Sequence, residues 1–285
     1  MIKVLMARAK QGYRTSAFPV EPPALSDRFV GAPVIGRPKC PPKCSKCVEL
    51  CPMQCISRNT EKISIDIGKC IFCGKCAESC SPGILHFSKD YRMAVRKREE
   101  LVLSGPVINL AEELNKEMKK LFGRSLKLRQ VCAGGCNACE ADVNVLNTLA
   151  WDLGRFGIQF VASPRHADGL LVTGPVTENM KLALKKTYEA VANPKLVIAV
   201  GACAISGGIY EGHSEANNGV QSIIPVDLFI PGCPPHPSTI LDGLLRLMGR
   251  LKGDAREKIN DSQPIPPVGD QLETRKKLIR SVIRS

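Results

Sequence analysis

Cys132-Ala-Gly-Gly-Cys136-Asn-Ala-Cys139-Glu140 decides how the second half of this chain folds. It follows a short apolar run, 126–131, and precedes a helical pattern. Two more cysteines stand downstream, each beside glycine, in Gly201-Ala-Cys203 and Gly232-Cys233-Pro-Pro. Thiolates are soft ligands, suited to iron–sulfur or zinc centres. Four of them at strand ends, two from a Cys-x2-Cys turn, can converge on one iron–sulfur cluster.

Around this stretch, apolar runs alternate with helical patterns. Strands are expected at 126–131, 159–162, 169–173, 196–200 and 226–230, and helices at 143–156, 178–191 and 237–251. Such alternation predicts an α/β parallel sheet with helices on both faces. Sheets of this kind place their sites outside the carboxyl ends of strands. The cysteines obey that rule, so positions far apart in sequence can meet. The agreement of fold and site weighs more than the Cys-x2-Cys pair alone.

Upstream lie nine further cysteines in two groups: Cys40, Cys44, Cys47, Cys51 and Cys55, then Cys70, Cys73, Cys76 and Cys80. The second group matches the bacterial ferredoxin run Cys-x2-Cys-x2-Cys-x3-Cys. In a two-cluster ferredoxin the fourth cysteine reaches the other cluster. Cys70, Cys73 and Cys76 then share a cluster with Cys51, and Cys44 and Cys47 share theirs with Cys80. The first group departs from the pattern, because the expected leading cysteine falls at Pro41. Cys40 with a one-residue bulge is the expected fourth ligand and Cys55 its competitor; otherwise Cys55 is a small buried core residue. The proline expected after Cys80 has slipped to Pro82. Zinc is the competing chemistry for all these sites. Alternation at 62–67 and 84–87 reads as one strand in each ferredoxin-like half, with His86 as a strand residue.

Length and composition bound the rest. The chain has 285 residues, enough for two domains each with its own core, and 14 cysteines. Their short metal-type spacings and the absence of an opening signal peptide argue against an oxidised secreted scaffold and for a reducing cytoplasm. A net charge of +13 fits an acidic partner or an anionic surface. With 5% aromatic residues and no basic recognition helix, nucleic acid is not expected as a partner. No apolar run reaches the ~18 residues that span a bilayer. Residues 1–20 hold Lys3, Arg8, Lys10 and Arg14, no acid before residue 20, and an apolar start. They read as a segment lying on a membrane surface or membrane subunit, or as a frayed basic terminus. Proline and glycine between 18 and 42 predict an extended strap. A helix is expected over 109–122, ended by Gly123.

Five stretches of the second half carry a resemblance: Gly135-Cys-Asn-Ala-Cys-Glu140, Ser163-Pro-Arg-His-Ala-Asp168, Val172-Thr-Gly-Pro-Val176, Gly201-Ala-Cys-Ala-Ile-Ser-Gly-Gly208 and Ile224-Pro-Val-Asp-Leu-Phe-Ile-Pro-Gly-Cys-Pro-Pro235. They resemble the small subunit of membrane-bound, energy-converting nickel–iron hydrogenases (group 4, formate hydrogenlyase). They are also similar to the complex I subunit that holds the last iron–sulfur cluster before quinone. Complex I has adjacent paired cysteines where this chain has Cys136-x2-Cys139, which favours the hydrogenase branch. Thr15-Ser-Ala-Phe-Pro-Val-Glu-Pro22, Gly68-Lys-Cys-Ile-Phe-Cys-Gly-Lys-Cys76 and Tyr91-Arg-Met-Ala-Val-Arg-Lys97 resemble the separate ferredoxin-like subunit of the same complexes.

The resemblance implies a fusion of two subunits. An extended strap at 1–35 touches partners or the membrane arm. A ferredoxin-like domain at 36–105 holds two 4Fe–4S clusters, and a linker helix follows at 106–125. A flavodoxin-like domain at 126–250 holds a proximal 4Fe–4S cluster on Cys136, Cys139, Cys203 and Cys233, and 251–285 is a basic tail. Cys132 is then spare. Glu140 is a candidate proton relay or a helix N-terminal carboxylate. Arg165 and His166 either tune the cluster or form a loop salt bridge, and Asp168 reads as a turn or cap residue. A nickel–iron centre needs two further Cys-x2-Cys pairs, and three clusters leave only two cysteines. The chain therefore conducts electrons, with no catalytic centre of its own. Implied partners are a hydrogenase large subunit (the nickel–iron subunit or its complex I counterpart), membrane ion-translocating subunits, and a donor such as ferredoxin, formate dehydrogenase or carbon monoxide dehydrogenase. The implied location is peripheral, on the cytoplasmic face of the cell membrane. A nickel-free relay to quinone, methanophenazine or a sulfur compound is the alternative, and a zinc-binding adaptor a third reading.

Overall fold

A computed structural model describes residues 2–12, 14–36, 40–41, 44–59, 62–80, 83–251 and 256–259, the last stretch by its backbone over 256–258. The helix α1 (Ile2–Gln11) opens the chain, so the strap expected at 1–35 is extended only beyond residue 12. Proline and glycine are absent from 2–11 and begin at Gly12 and Pro19, which is why the helix forms and then stops.

The ferredoxin-like half follows as β1 (Pro33–Ile35), α2 (Lys46–Glu49), β2 (Ile56–Arg58), β3 (Ile63–Asp66), α3 (Lys75–Glu78), β4 (Leu85–Phe87) and β5 (Val102–Leu103). β1 pairs antiparallel with β4, and β2, β3 and β5 form an antiparallel sheet in that order. His86 stands opposite Val34 in β4, as a strand residue. Next come β6 (Val107–Asn109) and α4 (Lys116–Phe122). The helix expected over 109–122 is thus confined to its second half. Asn115 caps it, its side chain accepting the Met118 N–H at 2.9 Å. Asn109 is drawn into β6 by pairing with β12 (Arg256–Lys258), a strand that follows the whole second half in sequence.

The second half contains β7 (Leu126–Cys132), α5 (Ala138–Val145), β8 (Ile158–Phe160), β9 (Gly169–Thr173), α6 (Glu178–Ala190), β10 (Leu196–Val200), α7 (Ala202–Ser206), β11 (Leu228–Ile230) and α8 (Pro237–Leu247). Its five strands are parallel in the order β11-β10-β9-β7-β8. Numbered within the sheet and read from the other edge this is 2-1-3-4-5, the flavodoxin-like order, with its switch point between β7 and β9. Every residue of β9 and β10 is buried, as expected when helices cover both faces. Alternate side chains feed two cores: Leu170, Val172, Val197, Ala199 and Phe229 on one face, and Leu171, Leu196, Ile198, Val200, Leu228 and Ile230 on the other. The second face packs against α8, all of whose residues are buried.

The first face does not end at a domain boundary. Its hydrophobic cluster runs on into Ile65, Ile67, Leu85, Phe87 and Leu101 of the ferredoxin-like half. Val95 exchanges two backbone hydrogen bonds with Phe229, at 3.0 and 2.9 Å, adding one antiparallel bridge to the edge of the parallel sheet. The two halves therefore share a core.

Candidate iron–sulfur thiol sites

The sheet brings together Cys136 and Cys139 after β7, Cys203 after β10 and Cys233 after β11. Burial comes first in raising the Cys139 thiol, followed by the Glu140 carboxylate and the thiols of Cys203, Cys233 and Cys136. Cys203 is pushed up to about 11, by burial and then by Cys233 and Cys136. Asn137 takes a left-handed turn, φ +69°, so that α5 can start inside the Cys-x2-Cys loop. The helix expected at 143–156 consequently begins at Ala138 and ends at Val145, and only Leu153–Phe156 returns as a 3-10 turn. Gly201, at φ +91°, faces the Cys139 sulfur, and a Cβ there would lie 2.5 Å from it. Its own N–H binds the Ile230 carbonyl at 2.9 Å, and Ala202 N–H binds the Gly232 carbonyl at 2.8 Å. The turn bearing Cys203 is thereby clipped to the turn bearing Cys233.

Glu140 is buried in the first turn of α5. Burial opposes its ionisation, yet hydrogen bonds from the Cys132 thiol, the Thr173 hydroxyl and its own backbone N–H hold its carboxyl below the usual range. Its Oε2 is buried with no hydrogen-bond partner among the described residues. Of its two sequence readings, the fixed carboxylate at a helix start fits this environment. Cys132, spare by the sequence reading, is the thiol that holds it. Asp168 accepts the Lys127 N–H at 2.7 Å, tying the turn before β9 to the start of β7. Arg165 and His166 lie just before β9. Strand register sets Gly169 beside Leu128 and Thr173 beside Cys132, so both side chains start from the amino end of the sheet. At about 3.3 Å per residue that is on the order of 13 Å below the cysteine edge.

The ferredoxin-like half gathers its thiols into two groups. Cys47 is raised by burial and then by Cys40, Cys80 and Cys44, and Cys40 faces Cys44 and Cys80. Arg58 donates to the carbonyls of Cys44 and of Pro41, the latter at 3.1 Å, and so holds this loop. The bulge expected between Cys40 and Cys44 falls partly on 42–43, and Pro82 and most of the 251–285 tail also lie outside the described residues.

A partly open pocket is lined by Cys51, Cys55, Cys70, Cys73 and Cys76. Cys76 is pushed up to about 12, by burial and then by Cys51, Cys55 and Cys73. Cys55 is buried with its sulfur 3.3 Å from that of Cys51. The hydrogen bond to Cys70 and then burial push its thiol far above the ordinary range.

The donor set has the chemistry of iron–sulfur ligation: each group brings four or more thiols together, five of them lining one pocket. Among the described residues, no three His, Cys, Asp or Glu side chains are arranged to hold a single metal ion.

The turn before Cys70 is the seam between these groups. Ser206 donates to the Gly68 carbonyl at 3.1 Å, and Lys69 pairs with Glu211. A Cβ on Gly68 would lie 2.9 Å from Ile205. Arg98 grips both oxygens of Asp66, at 2.9 and 2.7 Å, while Asp66 accepts the Gly68 N–H at 2.9 Å. Sequence reading missed Ser206, Arg98 and Asp66. The run Asp66-x-Gly68 just before the cysteines was the available sign of a side-chain-held turn.

Comparison with known proteins bears on the second half. The family model for the NADH ubiquinone oxidoreductase 20 Kd subunit matches residues 136–247. The probable membrane-bound hydrogenase subunit mbhJ of Pyrococcus furiosus is 43% identical over 135 residues, 47% of this chain and 81% of that protein. Formate hydrogenlyase subunit 7 of Escherichia coli is 41% identical over 133 residues, 47% of this chain and 52% of its own length. An NADH-quinone oxidoreductase subunit of Phocaeicola vulgatus is also 41% identical over 133 residues, covering 45% and 67%. Among solved structures, a chain of the membrane-bound sulfane sulfur reductase, an archaeal respiratory membrane complex, aligns at 36% identity and a TM-score of 0.42, over 48% of this chain and 75% of that one. With its parallel sheet, its four cysteines at the carboxyl edge and the sequence matches to the family model and to the hydrogenase subunit, the chain belongs to the NADH ubiquinone oxidoreductase 20 Kd subunit family.

Proposed function

We propose that this chain is the iron–sulfur electron-transfer subunit of a membrane-bound oxidoreductase, with a large partner carrying a nickel–iron centre that reduces protons or oxidises dihydrogen. Three 4Fe–4S clusters are assigned to Cys40, Cys44, Cys47 and Cys80, to Cys51, Cys70, Cys73 and Cys76, and to Cys136, Cys139, Cys203 and Cys233. The reading divides the chain at 36–105 and 126–250, as two subunits fused. One observation carries it: four thiols converge at the carboxyl edge of the sheet, and the Cys70 turn is seated against the Cys203 helix through Gly68 and Ser206. Bound there, such clusters supply one-electron transfer with little change of geometry. The protein's part is to hold the thiols still. Gly201 lets the Cys139 sulfur approach, and Asp66 with Arg98 fixes the turn ahead of Cys70. Glu140 contributes a fixed carboxylate beside Cys139.

Association with ion-translocating membrane subunits follows from the same reading. Among the described residues no helix is long and apolar enough to cross a membrane. Helix α1 supports a peripheral attachment. Ile2, Leu5, Met6 and Ala9 fall within about 100° of one another around it, bordered by Lys3 and Lys10 on one side and Arg8 on the other. All of these side chains are exposed. An apolar stripe with basic residues at both margins suits an anionic lipid surface.

A nickel-free relay to quinone or a sulfur compound is the second reading. It is favoured by one finding, that the NADH-quinone oxidoreductase subunit is as similar to this chain as the hydrogenlyase subunit is. Nickel and iron in the complex, purified anaerobically through this chain, separate the two. About one nickel with about 12 iron per chain (three four-iron clusters) supports the hydrogenase reading. Iron without nickel supports the other. A colourless, iron-free complex refutes both.

A further inference from the structure

The two thiol groups of the first half are built on one repeat, and the repeat carries different charge at the same place. Cys44, Cys47 and Cys51 recur as Cys73, Cys76 and Cys80, and the same offset lays β2 (Ile56–Arg58) on β4 (Leu85–Phe87). The last residue of each strand reaches one thiol group. Phe87 is buried and lines the pocket around Cys51, Cys70, Cys73 and Cys76, its ring 6.2 Å from that of Phe72. Arg58 reaches the other group, where its guanidinium donates to the carbonyls of Cys44 and Pro41. A cation thus stands at one group where an apolar ring stands at the other, and arginine keeps its charge at any pH a folded protein meets. Neighbouring ion pairs widen the difference. The cations nearest the Cys70 turn are matched, Arg98 by Asp66 and Lys69 by Glu211. Arg58 meets no carboxylate among the described residues, only neutral carbonyls. It is half-buried, so its field is screened less than that of a surface side chain. That field reaches the thiols: burial and the Cys44 thiol raise Cys40, and Arg58 acts in the opposite sense.

We propose that Arg58 tunes one cluster of the pair, its uncompensated charge raising the reduction potential of the cluster on Cys40, Cys44, Cys47 and Cys80. The inference rests on the assignment of those four cysteines as cluster ligands. One-electron reduction makes a cluster more negative, so a nearby cation stabilises the reduced state. Phe87 supplies no such charge to the twin cluster. The Cys70 group lies at the seam with the second half, which leaves the Arg58 cluster on the donor side of the route. A higher potential there makes the entry cluster easier to fill.

The test is an EPR-monitored redox titration of the anaerobically purified complex, with this chain as wild type, Arg58→Gln or Arg58→Lys. The relevant signal is the one lost in Cys44→Ala. Glutamine is neutral but keeps a donor for one carbonyl; lysine keeps the charge without the two-pronged grip. Both variants are expected to hold iron at about 12 per chain. In Arg58→Gln the one-electron equilibrium of this cluster should shift about tenfold toward the oxidised form, a fall of about 59 mV. Arg58→Lys should stay close to wild type, with the other two clusters unmoved in both. Arg58→Met, equally neutral, gives the same reading if Arg58→Gln does not load. An unchanged potential in the neutral variants overturns the proposal. So does an equal fall in Arg58→Lys, which would trace the effect to the hydrogen bonds and not to the charge. Loss of about four iron in all three variants overturns it as well, leaving Arg58 as a clamp on the loop. A wild-type chain with no cluster signal from its first half overturns the ligand assignment itself, and this proposal with it.

Discussion

Replacing Gly201 by alanine should remove one cluster and leave two. The position has φ +91° and ψ 157°, a region essentially reserved for glycine, and a side chain there costs about 1–3 kcal/mol. Strain is the smaller effect. The new Cβ would lie 2.5 Å from the Cys139 sulfur, which must retreat by about 0.9 Å to reach the 3.4 Å of ordinary contact. Metal–ligand distances tolerate only about 0.2 Å, and the backbone clips from Gly201 to Ile230 and from Ala202 to Gly232 keep the turn from yielding. Gly212 is the matched control, with φ +77° and nothing within 4 Å of its would-be Cβ. Iron per chain and EPR spin counts should fall from about 12 iron to about 8 in Gly201→Ala and stay near 12 in Gly212→Ala (four iron per cluster). Full iron and an unaltered proximal signal in Gly201→Ala would refute the assignment of Cys139 to that site.

Three further outcomes are expected. Burial raises the thiols of Cys139, Cys203 and Cys233, so in the cluster-free chain they are protonated near neutral pH and loading must expel protons. Anaerobic reconstitution should therefore improve as pH rises from 6.5 to 8.5, by up to about a decade in apparent affinity per unit for each proton released; a pH-independent yield would contradict the raised thiols. Arg98→Ala strips both hydrogen bonds from Asp66, whose side chain is 18% exposed, and should lower unfolding free energy by about 2 kcal/mol in urea titration. A change below about 0.5 kcal/mol, the range of an ordinary surface substitution, would show that the turn before Cys70 does not depend on it. Leu5→Glu in α1 should weaken co-sedimentation with phosphatidylglycerol vesicles about tenfold or more, from the ~1.5–3 kcal/mol of a buried leucine, with no effect on iron content. Equal sedimentation of both proteins would remove α1 from the membrane contact.

The parallel sheet was legible because period and topology agree. Runs 169–173 and 196–200 are apolar almost throughout, as strands covered on both faces must be, and the observed bounds are the expected ones. Cysteines at strand ends then met because parallel strands share one carboxyl edge. Helix bounds were less legible. Val143, Leu146 and Leu153 keep helical spacing and are all buried, yet the helix ends at Val145. Their spacing is set by packing on the face shared with α8, not by one continuous helix. Leu110 likewise suited a helix over 109–122 but lies directly after β6, whose partner β12 comes after the whole sheet. Local pattern carries no information about such a distant partner. Cys132 and Cys55 show the same limit. Residue type marked both as spare small side chains, while the groups they touch, the Glu140 carboxylate and the sulfurs of Cys51 and Cys70, are brought to them by the fold.

On the proposed reading, the seam explains why two fused halves suit conduction. Two separate proteins that pass electrons must find each other, and their cluster spacing varies with each encounter. Here Ile65, Ile67 and Leu101 share one hydrophobic cluster with Val172, Val197 and Phe229, and Val95 is hydrogen-bonded into the sheet edge. Moving one half against the other would expose that cluster, at roughly 25 cal/mol for each Å² of apolar surface. The polar contacts of the seam fall on the turn just before Cys70 and on the helix that bears Cys203 with the loop that follows it. On the proposed reading, electrons then run from the Cys40 group, through the Cys70 group, to the Cys203 group at a spacing set by the fold. The chain between the halves is accordingly no loose linker: Ala111 N–H binds the Ala94 carbonyl at 2.8 Å, and Leu114 N–H binds that of Leu247 at 2.9 Å. A flexible insertion at Gly105, where a Cβ would meet nothing within 4 Å, should therefore leave both the seam and the iron content intact, because the shared core rather than the covalent connection sets the spacing. Iron lost from the Cys70 group in that insertion variant, measured per chain, would place the control of the spacing in the connection instead.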